Sequence, residues 1–152
     1  SFEHAPADAT PMVECGPGCT AKVAAGSGFG VDAPVTGSSP LVLAELDLDG
    51  SLTLPDDQPE RAVVALDGAL RIAGTELADG NLAVIEPGRT PVIEGSGTAI
   101  LLGGEPVGRR HIWWNFVHSD PDVIDDAKRR WAAQDFPTVP GDHDPFVPLP
   151  RT

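Results

Sequence analysis

Residues 41–72 read LVLAELDLDGSLTLPDDQPERAVVALDGALRI, and this stretch decides the fold. Leu41 to Leu48 is an apolar run that shifts into alternation at its end. Asp49-Gly50 follows as a hairpin signal, and Ser51-Leu52-Thr53-Leu54 then alternates with period two. A half-buried strand alternates in this way because successive side chains point to opposite faces. Pro55 to Pro59 is a polar turn, and Arg61 to Leu66 is apolar and β-branched. Asp67-Gly68 is a second hairpin dipeptide, after which Ala69-Leu70-Arg71-Ile72 alternates again.

Working outward, the punctuation continues. Ala73-Gly74, Asp79-Gly80 and Pro87-Gly88 mark turns between strands at Asn81 to Ile85, Pro91 to Ile93 and Thr98 to Leu102. Upstream, Thr20 to Ala25 forms a first strand, residues 1–11 an extended arm and Gly26 to Pro40 a long loop. Helical periodicity is absent from this part of the chain. Strands of four to eight residues with a turn every eight to twelve predict an antiparallel, all-β jelly-roll barrel.

The character changes after Gly108. His111 to Val117 is the most aromatic stretch. Ser119-Asp120-Pro121-Asp122 then starts a helix, with Ser119 as cap, Pro121 in the first turn and early acids at the positive end. Val123, Ile124, Ala127 and Trp131 share one face, and the helix is predicted to run to about Ala133. Pro137 and Pro140 prevent its continuation, leaving an extended Pro-rich tail. The expected organisation is a barrel over residues 1–118, with the helix and tail, 119–152, packed on it as a single domain.

The bulk numbers narrow the function. The chain has 152 residues, 41% of them hydrophobic, which suffices for one core. Its formal net charge is −13. Phosphate backbones and anionic membranes repel such a surface, so no direct nucleic-acid partner and no membrane are expected. No apolar run approaches a membrane span and no export signal is visible, so cytoplasmic residence is the expectation. Cys15 and Cys19 flank Gly16-Pro17-Gly18, a tight turn. They could form a cross-turn disulfide or half a zinc site, or stand as two ordinary thiols, the reading favoured for a cytosolic chain.

Leu101-Leu102-Gly103-Gly104-Glu105-Pro106, Trp114-Asn115-Phe116-Val117, the capped helix, Phe136 to Asp142 and Phe146 to Pro150 together resemble the pirin family. Ala24-Ala25-Gly26 to Phe29-Gly30, then Pro34-Val35, is similar to the opening of that family's second domain. The resemblance implies a cupin-type double-stranded β-helix. It also implies a two-domain parent whose N-terminal cupin holds iron on three His and one Glu, and whose C-terminal cupin is metal-free. Family members include quercetin 2,3-dioxygenases and redox-sensitive transcriptional co-regulators. Only the second domain is matched, so the chain is either a piece of a longer protein or works with a partner.

Cupin metal sites follow Gly-x5-His-x-His-x3-4-Glu-x6-Gly and then Gly-x5-Pro-x-Gly-x2-His-x3-Asn. The first pattern would start at Gly50, which puts Asp56 and Gln58 at the two His positions and Arg61 or Ala62 near the Glu position. The second would start near Gly80, yet residues 89–104 contain no His. His4, His111, His118 and His143 all lie outside the barrel-forming stretch. Asp56, Asp57 and Glu60 read as a solvated acidic rim, able at most to take a hard cation weakly. No nucleophile elbow or phosphate loop is present.

The expectation is therefore a chain with no catalytic residue, no metal ligand set and no cofactor of its own. As a module it would pair with a metal-bearing cupin domain, in cis or in trans, and shape a shared interdomain pocket; a homodimer is a further option. The alternatives are part of a quercetin 2,3-dioxygenase-type enzyme with its iron in another domain, and a binding module for a ligand inside the barrel. Trp113, Trp114, Asn115 and Phe116 are the candidate interface, since adjacent Trp residues in an extended strand face opposite ways and exposed Trp is enriched in interfaces. Equally, both Trp residues could lie under the helix with Trp131.

Overall fold

The computed structural model describes residues 4–138, 140, 141 and 147–150. A 3-10 turn at Ala7–Ala9 precedes strands β1 (Met12–Gly16), β2 (Cys19–Gly28), β3 (Val31–Asp32), β4 (Leu41–Thr53), β5 (Glu60–Ile72), β6 (Thr75–Leu77), β7 (Leu82–Ile85), β8 (Val92–Gly104), β9 (His111–Trp113) and β10 (Phe116–His118). Helix α1 (Pro121–Ala132) follows. The chain divides into two compact units, Ser1–Pro106 and Val107–Thr152.

In the first unit eight strands form one sheet in the order β1-β2-β4-β8-β5-β6, with β3 beside β2 and β7 beside β5. Every pairing is antiparallel. β4 and β8 pair along their whole length, from Leu41↔Gly104 to Thr53↔Val92. The other edge of β8 carries β5, from Glu60↔Gly104 to Ile72↔Ile93. Alternation turns Val42, Ala44, Leu46, Leu48 and Leu52 of β4 inward, with Ile93, Ala99 and Leu101 of β8. On β5 the inward residues are Arg61, Val63 and Ala65. A bulge between Ala65 and Asp67 then inserts Leu66 and moves the inward phase to Leu70. One extra residue flips the face of every residue after it, which is how a bulge re-aims a strand. The largest fully buried side chains are all aliphatic: Leu46, Leu48, Leu54, Leu70, Ile93, Leu101, Val23 and Val63.

The two hairpin dipeptides are not turns. Asp49 and Gly50 lie inside β4 opposite Ser96 and Gly95. Asp67 and Gly68 lie inside β5 opposite Thr98 and Gly97. These glycines allow strands to approach rather than the chain to reverse. Gly68 has φ +100, and a Cβ there would collide with the carbonyl oxygen of Ser96. Glycine within a strand marks such a bend or close approach as readily as a hairpin. Real turns fall at Ala73-Gly74 between β5 and β6, at Asp79-Gly80 and at Pro87-Gly88, as the sequence predicts. Three short strands of the sheet go beyond the prediction, β6 beside the end of β5 and two upstream. β1 adds an edge to β2, and β3 turns back on β2 within the predicted 26–40 loop, with Phe29 and Gly30 at positive φ in the turn.

The second unit is a β9–β10 hairpin and α1. The cap of α1 is Asp120, one residue after the predicted Ser119; its Oδ1 accepts the Asp122 N–H at 2.9 Å, with Pro121 at the first helical position. Among the described residues no helix is long and apolar enough to cross a membrane.

Candidate functional site

The polar feature of the barrel interior is at the end where the β4–β5 and β7–β8 loops meet. Gln58 and Arg61 are the buried polar residues among those described, 8% and 3% exposed. Arg61 enters from β5 at an inward position. Its Nη2 lies 2.7 Å from Asp56 Oδ1 and donates to the Arg89 carbonyl at 2.6 Å, while Nη1 donates to the Pro55 carbonyl. The guanidinium thus ties residues 55 and 56 of one loop to residue 89 of the other. A planar, permanently charged fork suits this task, because it donates in several fixed directions at once. A buried charge is tolerated only when paired and hydrogen-bonded. Here Asp56, still 44% exposed, supplies the countercharge. Arg61 Nε is buried without a partner.

Gly103 of β8 stands opposite Arg61. A Cβ on Gly103 would fall 3.1 Å from Gln58 Cβ and 3.2 Å from Arg61 Cγ. The glycine therefore leaves room for both side chains. On its other side Gln58 borders a cleft of about 470 Å³ with Ser27, Asp32, Thr36 and Ser38 on its wall. Ser27 Oγ donates to Asp32 Oδ1 at 2.6 Å. These hydroxyl and amide groups can hydrogen-bond a polar ligand.

Counted along the cupin pattern from Gly50, the expected ligand positions fall on the β4–β5 loop and the start of β5. Asp56 occupies the first His position and is engaged by Arg61, and Gln58 occupies the second. Near the Glu position stands a guanidinium, which has N–H donors and no lone pair to give. Iron needs several imidazole or carboxylate donors converging on it, and this set does not fit iron. Among the described residues no three His, Cys, Asp or Glu side chains gather into a metal-binding group.

The histidines are elsewhere. His4 is exposed near the N-terminus. His111 and His118, read from sequence as scattered, face each other across the β9–β10 ladder. His118 Nδ1 accepts the Asp120 N–H at 3.0 Å. His143 lies outside the described residues. Of the acidic rim, Asp57 and Glu60 are exposed and Asp56 is committed to Arg61.

Cys15 and Cys19 flank the β1–β2 hairpin turn, with Gly16 opposite Cys19. Both are free thiols, Cys19 buried and Cys15 partly so. Burial, and then the neighbouring Cys19, push the Cys15 thiol above its ordinary pKa. A thiol held protonated in this way is a poor nucleophile and metal ligand.

The aromatic segment builds its own cluster. Trp114 sits at the hairpin turn with φ +53, so it does not alternate with Trp113. The two rings are 6.3 Å apart, edge to face, and Trp114 also meets Trp131 at 5.3 Å. Phe116 stacks on Trp113 and on Phe136. The expectation of opposite-facing Trp residues fails because a turn interrupts the strand; the grouping with Trp131 is what forms. Lys128 Nζ lies 4.8 Å from the Trp113 ring centroid. Trp114 remains 38% exposed and Asn115 is exposed beside it. The reverse face of the hairpin carries Ile112 opposite Val117, both exposed.

Sequence reasoning named Arg61 near the Glu position of the cupin pattern and as the start of an apolar strand, but missed its burial and its ion pair with Asp56. The available signal was its phase: Arg61, Val63 and Ala65 share one face, so the charge had to be inside.

Comparison with known proteins agrees with the fold. The Pirin C-terminal cupin domain family matches residues 41–137. A pirin-like protein of Caulobacter vibrioides is 41% identical over 157 residues, covering 99% of this chain and 54% of that protein. Among solved structures, a quercetin 2,3-dioxygenase of Acinetobacter baumannii superposes with TM-score 0.81 at 27% identity, over 94% of this chain and 50% of that one. A second structure under the same description gives TM-score 0.74 at 21% identity, covering 86% and 49%, and supports the fold. The chain spans about half the length of each of these relatives. With its antiparallel sheet and the family match over residues 41–137, the chain belongs to the pirin family, as a C-terminal cupin domain of that family.

Proposed function

We propose that this chain is a metal-free cupin module that pairs, in cis or in trans, with a metal-bearing cupin domain and supplies one wall of the pocket they share. The observation that carries the reading is the Arg61 guanidinium, buried near the counted Glu position of the cupin pattern and held by Asp56 and two carbonyls. Charge and hydrogen bonds of the protein bridge the two loops there. The half-length match to its relatives points the same way. Cytoplasmic residence, the absence of nucleic-acid contacts and the role of Trp113 to Phe116 as an interface belong to this proposal. So does the assignment of iron to the partner domain.

A second reading is favoured by the likeness to the Acinetobacter baumannii quercetin 2,3-dioxygenase. In it the assembled protein is a dioxygenase of that type, and this chain shapes the pocket without touching the metal. Quercetin consumption separates the two readings from a third, in which the chain is itself catalytic. The purified chain with ferrous iron is expected to leave quercetin untouched. Turnover by the chain alone overturns both proposals. Turnover that requires the co-expressed remainder of the Caulobacter vibrioides relative selects the dioxygenase reading.

A further inference from the structure

The cleft of about 470 Å³ beside Gln58 has features that the function proposed above does not use. Its wall is held by backbone hydrogen bonds. The Gly26 N–H donates to the Val35 carbonyl at 3.0 Å, and the Ala33 N–H donates to the Gly26 carbonyl at 2.8 Å. The Glu105 N–H donates to the Pro40 carbonyl at 3.2 Å. The 26–40 segment is thereby tied to β2 and to the end of β8. Connections of this length are uncommon in compact domains unless they serve a function. Gln58 closes the other side. It is 8% exposed, and its amide has no hydrogen-bond partner among the described residues. Burying an amide without a partner is costly, and native structures keep few such groups. Gly103 leaves room for Gln58, and the Arg61 contacts to Pro55 and Asp56 hold the loop that carries it. Groups positioned in advance lower the cost of binding.

We propose that this cleft binds a small neutral polyhydroxylated molecule, of the monosaccharide or polyol class, with the Gln58 amide as its anchor. The chemistry of the wall selects that class. Gln58 offers both donors and an acceptor, and the Ser38 hydroxyl does the same. Ser27 gives its proton to Asp32 and leaves its oxygen as an acceptor, while Asp32 keeps lone pairs for a ligand hydroxyl. Ala33 and Leu41 add an apolar strip for the carbon face of such a ligand. The described lining residues include no Lys or Arg, and the chain carries a net charge of −13, so an anion finds no countercharge here. Asp32 is exposed and already hydrogen-bonded, so a cation would meet a single screened carboxylate. The volume falls in the roughly 300–1,000 Å³ range of small-molecule sites. The site does not depend on pairing with another cupin domain.

The test titrates the nitrogen-labelled full chain with D-glucose, D-galactose and myo-inositol as neutral probes, D-glucosamine as a cation and D-glucuronate as an anion. Amide NMR spectra are followed throughout. At least one neutral probe is expected to shift the Gln58 side-chain amide saturably, together with backbone amides of residues 26–40. Gln58→Leu should weaken that binding roughly tenfold or more, because it removes the anchor and both its donors. Ser38→Ala, at an exposed position where folding is not at stake, should weaken it by about threefold. Thermal melts of each variant without probe control for folding. Silence of Gln58 towards all three neutral probes overturns the proposal. So does binding that survives both substitutions, or shifts confined to residues outside the cleft. A saturable response to D-glucosamine or D-glucuronate in place of the neutral probes overturns the ligand class named here.

Discussion

The three long strands β4, β5 and β8 each have two halves that differ most on the outside. Inward, apart from Arg61, both halves bury aliphatic side chains, from Val42, Val63 and Leu101 at one end to Leu52, Leu70 and Ile93 at the other. Outward, the first half shows Leu43, Val64 and Leu102, while the second shows Asp47, Asp49, Arg71 and Glu94. The buried ion pair also belongs to the first half, and the glycine crossings to the second. Inward positions thus specify the barrel, whereas the outward face changes from apolar to charged along the same strands. A substitution should report which of the two faces it falls on.

The largest effect is expected at the glycine crossing. Gly68→Ala forces a Cβ into the Ser96 carbonyl at φ +100, and should cost roughly 3 kcal/mol or more of stability in urea titration. Gly80→Ala is its control, at φ +75 with nothing within 4 Å, and should cost about 1 kcal/mol. Equal losses would mean that the crossing is not a close approach.

Next comes the mouth. Arg61→Ala leaves the Pro55 and Arg89 carbonyls without their donor and should cost about 2–4 kcal/mol, the lower part of the range reflecting the half-exposed Asp56. Arg61→Lys should recover only part of this, because an ammonium lacks the planar fork that meets Pro55, Asp56 and Arg89 together. Full recovery would show that charge alone suffices.

Outward apolar positions should matter least to folding. Val84→Asp in the isolated chain is expected within about 0.5 kcal/mol of wild type in the same titration. A larger loss would place Val84 in the core rather than on the exposed outer face.

The smallest effect is a pH dependence at the β1–β2 hairpin. The Cys15 pKa is raised in the folded state, so its stabilising contribution is present below the ordinary thiol pKa and lost as pH rises through the raised one. Comparing melts of Cys15→Ser and the wild type in alkaline buffer reads this. A wild-type chain that gains stability relative to the variant as pH rises would reverse the sign.

Much of the barrel is legible in the sequence because a sheet with one filled interior imposes period two. Leu41 to Leu48 and Ser51 to Leu54 declare their inward residues at once. The failures have physical causes. Asp49-Gly50 and Asp67-Gly68 look like hairpins because a local reading sees conformational freedom, whereas closeness of Gly68 to Ser96 depends on pairing across some thirty residues. Trp114 escapes alternation because a non-glycine residue at positive φ is not written in its type. The sequence reads the site as a set of replaced ligand positions. Its organising residue was not legible, because an arginine becomes a keystone only when two loops and an aspartate are folded around it.

The most direct measurement is iron stoichiometry. The purified full chain, incubated anaerobically with ferrous iron, desalted and analysed for metal, is expected to retain far less than one iron per chain. One iron per chain, lost on Asp56→Ala or Gln58→Ala, would contradict the assignment of the barrel mouth to an arginine ion pair in place of a metal.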